Sequence, residues 1–83
     1  SIEFDKTTRI LTCKNEEELS FIDVYLDGTK YTVKDFTCVK VGSLYKYTID
    51  LSSVYTFQTR IGVAPTDIDE YNKYLGEIVY KTI

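Results

Sequence analysis

The chain is 83 residues long, with 43% hydrophobic and 28% charged side chains and a formal charge of −3. These values fit one globular domain over residues 1–83 rather than a disordered chain, since domains run from about 50 to 250 residues. The acidic balance and the scattered lysines exclude the clustered basic surface of a nucleic-acid binder. No apolar run approaches the roughly 18 residues that cross a bilayer as a helix, so no membrane partner is expected.

Eight tyrosines and four phenylalanines, without tryptophan or methionine, turn the apolar content toward rings. With the many Thr, Val and Ile residues, that composition favours strands. In chain order, "SIEFD" predicts a strand over 2–5 and "KTTRILTC" a second over 8–13. The charged "KNEEE", 14–18, has no apolar residue and is expected in water. "LSFIDVYL" resumes a strand over 19–26, with Ile22, Val24 and Leu26 on one face by the two-residue period. The Asp27-Gly28 pair is the strongest turn signal, because glycine tolerates the positive φ of a tight hairpin.

Residues 29–41 read as one long strand whose period changes phase. Tyr31 and Val33 share one parity, Phe36 and Cys38 the other, and a bulge near Lys34–Asp35 would reconcile them. Gly42-Ser43 turns the chain again. "LYKYTIDL", 44–51, alternates Tyr45, Tyr47, Ile49 and Leu51 against Lys46, Thr48 and Asp50. "VYTFQTRIGVA" places Tyr55, Phe57, Thr59, Ile61 and Val63 on one side, and "GEIVYKTI" supplies a last strand over 77–82. The fold class expected is therefore all-β, a seven-stranded antiparallel sandwich with hidden inner faces.

"APTDIDEYNKYLGE", 64–77, raises the question of chemistry. Pro65 ends the preceding strand. Thr66 or Asp67 can cap a following turn, Asp69 and Glu70 suit its positive end, and Ile68, Tyr71 and Leu75 recur at helical spacing. Gly76 suits a helix end. One short helical turn near 67–75 accounts for every residue. A calcium loop would need a ligand where Tyr71 stands and a glycine after it. No metal or cofactor site is assigned.

The chain has no histidine, so the usual Ser–His and Cys–His pairs are missing, and its four glycines are solitary. No catalytic residue is assigned, and the expectation is a protein that is not an enzyme. Cys13 and Cys38 lack metal-ligand spacing. In the absence of a leader pattern they read as buried thiols rather than a bridge. Ser1 is the residue expected if an initiator methionine had been removed, which would fit a small cytosolic product.

Eight tyrosines are too many to bury in so small a core, because each buried phenol needs a hydrogen-bond partner. Some are expected as cross-strand pairs, and Tyr45, Tyr47, Tyr55 and Tyr74 as protein-contact residues. The strand pattern resembles immunoglobulin-like and fibronectin type III-like sandwiches across the whole chain. A central-strand tryptophan and the Tyr-x-Cys corner are absent, so the resemblance implies the architecture and not its disulfide. "IEFDKTTRILTC" and the Tyr- and Thr-rich hairpins also look like accessory domains of bacteriophage virions. That likeness implies a structural interaction module, a decoration or connector component, with protein subunits or copies of itself as partners. Two alternatives are a carbohydrate- or ligand-binding module that stacks tyrosines on sugars, and a small acidic inhibitor.

Overall fold

The computed structural model describes residues 2–65 and 79–83. The period-2 segments form eight strands: β1 (Ile2–Asp5), β2 (Ile10–Asn15), β3 (Ile22–Leu26), β4 (Thr29–Val33), β5 (Thr37–Val41), β6 (Leu44–Asp50), β7 (Arg60–Pro65) and β8 (Val79–Thr82). They make two four-stranded antiparallel sheets, ordered β1-β2-β6-β5 and β4-β3-β7-β8. No helix occurs among the described residues, and the turn expected near 67–75 lies outside them.

Two expectations are corrected. Seven strands become eight because 29–41 is not one bulged strand. Val33 ends β4 in one sheet and Thr37 begins β5 in the other, with Lys34–Phe36 crossing between them. The change of phase marks that crossing: Tyr31 and Val33 pack on the core from one sheet, and Phe36 packs on it after the turn. The strand expected through Tyr55, Phe57 and Thr59 is a loop, and β7 starts only at Arg60. Hydrogen bonds from Val54 N and Tyr55 N to Leu51 O (3.1 and 2.8 Å) coil the backbone there and break the ladder.

The turns follow local stereochemistry. Asp27 and Gly28 both take positive φ, 46° and 90°, as a two-residue hairpin of type I′ demands. The β1–β2 connection is closed by the Asp5 side chain, which accepts from Thr7 N (2.8 Å) and Thr8 N (3.2 Å), and by Arg9 N donating to Asp5 O (2.6 Å). Arg9 closes that turn with φ 63°, a left-handed conformation that costs an ordinary side chain about 1–2 kcal/mol.

One apolar cluster lies between the sheets. Leu11, Tyr47 and Ile49 enter it from the first sheet and Ile22, Val24, Leu26 and Ile61 from the second, all at 1% exposure or less. Alternation sends Lys14, Lys46 and Asp50 outward, so each sheet hides one face.

Cys13 and Cys38 are both opposite Tyr47, one on each flanking strand. Two interstrand spacings, about 9 to 10 Å, separate their backbones, which is beyond disulfide reach. Both are free thiols, Cys13 buried and Cys38 exposed on the edge strand, so only Cys13 meets the expectation of burial.

Candidate functional site

The tyrosines expected to meet a partner divide by burial. Tyr47 is fully buried: its hydroxyl donates to Glu17 O (2.8 Å) and accepts from Leu19 N (2.7 Å), which clamps the loop between β2 and β3. Burial pushes its phenol up to about 12. Tyr55 is 5% exposed, packs its ring on Phe4 at 4.7 Å and donates to Gln58 O (3.1 Å). Neither ring is open to a partner in this structure, because a small core needs their area more than the surface does. Tyr45 is half-buried, with the Lys40 ammonium 5.8 Å from its ring centre. Tyr74 lies outside the described residues.

The exposed apolar side chains are elsewhere. Among the described residues the large ones are Val39, Val41, Phe57, Val79 and Tyr80. Val39 and Val41 stand on β5, an edge strand exposed at every position. Val79 and Tyr80 stand on β8, the edge of the other sheet, also exposed throughout. Phe57, at 84% exposure, projects from the β6–β7 loop.

That loop is tied on both sides of Phe57. Before it, Thr56 N donates to Gln58 Oε1 (2.9 Å), while Tyr55, anchored in the core, donates to Gln58 O. After it, the Asp27 carboxylate accepts from Thr59 N (3.1 Å) and Arg60 N (2.9 Å). Periodicity missed Phe57 because it treated residues 54–64 as one strand. The signal that finds it is a phenylalanine inside the polar run "TFQTR".

Beside the loop, on the outer face of the second sheet, a depression of about 350 Å³ is lined by Tyr25, Asp27, Gly28, Thr59, Arg60 and Tyr80. The Arg60 guanidinium lies over the Tyr80 ring, 3.9 Å from its centre. Among the described residues no three His, Cys, Asp or Glu side chains gather to hold a metal. Asp67, Asp69 and Glu70 lie outside those residues. Comparison with protein-family models, with curated proteins and with solved structures finds no match.

Proposed function

We propose that the chain is a non-enzymatic docking module of immunoglobulin-like architecture that binds other protein subunits, as a decoration or connector component of a virion would. The strand order supports the architecture. With β1 to β8 read as A, B, C, C′, D, E, F and G, the sheets become ABED and C′CFG, the immunoglobulin arrangement with a C′ strand added.

The observation that carries the docking reading is Phe57, an aromatic ring 84% exposed on a loop hydrogen-bonded on both flanks. A lone exposed apolar residue needs no explanation. One on a loop hydrogen-bonded on both flanks, three residues before an arginine that lies over an exposed tyrosine, has the residue types of an interface centre and less ordering entropy left to lose.

A photo-crosslinking phenylalanine analogue at position 57, with one at exposed Lys6 as control, tests the reading in the native host or particle. A discrete protein adduct at 57 and none at 6 is expected. Equal labelling at both positions, or none at 57, would refute it. Phe57→Ser should leave stability within about 0.5 kcal/mol of the parent, because the ring is already in water.

A further inference from the structure

The depression beside the β6–β7 loop has a chemistry of its own, fixed by what its charged groups are doing. Strand register brings Lys30, Tyr25, Gly62 and Tyr80 into one row across all four strands of the second sheet. Ile61 and Val63 point into the core, so this row and Arg60 share the outer face. The Arg60 guanidinium lies over the Tyr80 ring, 3.9 Å from its centre, a cation–π contact that favours this placement of its planar fork of donors.

The natural counter-ion for that guanidinium would be Asp27, which lines the same depression. Its carboxylate is instead taken by the backbone, accepting from Thr59 N at 3.1 Å and Arg60 N at 2.9 Å. Asp23, two residues from Tyr25 on the same face, is 1% exposed and accepts from the Thr32 hydroxyl at 2.8 Å. No described carboxylate is paired with Arg60. The depression therefore holds the Arg60 cation over the Tyr80 ring, the Tyr25 ring, and the Asp27 carboxylate, which keeps its charge but is oriented toward its backbone donors; Lys30 adds a second cation next to Tyr25 in the same row.

We propose that this depression receives a single acidic side chain, aspartate or glutamate, from the docked protein partner, with Arg60 as the carboxylate-binding residue and Tyr25 and Tyr80 as its walls. The proposal rests on the docking reading and names the partner's chemistry at that site. Charge complementarity selects a carboxylate, since a guanidinium fork matches its two oxygens. A volume of about 350 Å³ is at the small end of ligand sites and leaves room for an acidic side chain. The adjoining edge strand β8 leaves one side without a strand partner among those described, as an extended peptide requires.

Backbone-amide NMR titration of the full chain tests this with acetyl-Val-Glu-Val-amide, its Gln counterpart and sodium glucuronate. The Glu peptide is expected to shift the amides of Asp27, Gly28, Thr59, Arg60 and Tyr80 saturably in the millimolar range, at least about fivefold more tightly than the Gln peptide. Arg60→Gln should abolish the preference for Glu with the rest of the spectrum unchanged, and Arg60→Lys should keep only part of it. Equal affinity for the Glu and Gln peptides overturns the proposal. Tighter binding of glucuronate than of the Glu peptide at the same amides overturns its assignment to a protein side chain. Crosslinking at position 57 reports separately on docking: adducts without a Glu preference remove the carboxylate site alone. A Glu preference without adducts removes the partner and with it this proposal.

Discussion

Replacing Tyr47 with phenylalanine removes one oxygen atom and should cost more than most surface changes. The ring would remain, with its apolar burial and its edge contact to Phe36 at 5.3 Å. What is lost is the double role of the hydroxyl, which satisfies Leu19 N at 2.7 Å and Glu17 O at 2.8 Å. Leu19 is 7% exposed, so its amide has little water to turn to, whereas the Glu17 carbonyl belongs to an exposed residue. A buried donor left unsatisfied costs about 1–3 kcal/mol, and the Glu17 bond adds roughly 0.5. We expect a loss of about 1.5 to 3.5 kcal/mol, from a total of about 4 to 12 for a chain of this length. The melting temperature should fall on the order of 8 to 20 °C.

Tyr55→Phe is the internal control. It deletes one bond of 3.1 Å that is only partly buried and should cost about 0.5–1 kcal/mol. Urea unfolding with unchanged m values measures both, and hydrogen exchange at the Leu19 amide localises the effect. If Tyr47→Phe is no more destabilising than Tyr55→Phe, or if Leu19 stays protected, the Tyr47 hydroxyl does not hold the loop.

Alkaline pH should erode the fold in a defined window. Burial raises the Cys13 thiol from 9.0 to about 11 and the Tyr47 phenol from 10.0 to about 12. Both are neutral when protonated, and the unfolded chain gives up its protons first. Stability is therefore full below about pH 9 and is lost as pH climbs toward 12. Urea midpoints across that range should show it, and Cys13→Ala should flatten the portion between 9 and 11; an unchanged slope would contradict the assignment. Arg9→Gly relieves a left-handed residue at the β1–β2 turn and should raise stability by up to about 1 kcal/mol, while a loss would show that the Arg9 contact to Ser52 O matters more. A thiol reagent should modify Cys38 quickly and Cys13 only on unfolding; two fast thiols would contradict the burial of Cys13.

Much of the architecture was legible in local pattern. The alternation through Tyr45, Tyr47 and Ile49 gave the inner face of β6, and Asp27-Gly28 gave the β3–β4 turn. Even the irregular parity of 29–41 was visible, but a bulge and a change of sheet produce the same shift of one residue. Only the pairing of Cys38 with Tyr47, in the sheet opposite Tyr31, separates them. The candidate site was less legible. Tyr47 and Tyr55 looked like interface residues because a tyrosine suits a wet edge and a dry core equally, and its partner's position decides which. Alternation puts Arg60 on the face opposite Ile61 and says nothing more, since its role depends on Tyr80 beneath it and on the backbone donors that orient Asp27.

By itself, the order of residues determined that this chain forms strands with one apolar face and tight turns at Gly28 and Gly42, because side-chain direction and φ preference are local properties. Tertiary structure alone decided which rings are enclosed and which stand in water. Burial is set by what lies across the sheet or the loop, and the groups that meet there, such as Tyr47 with Leu19 or Asp27 with Thr59, are distant in sequence.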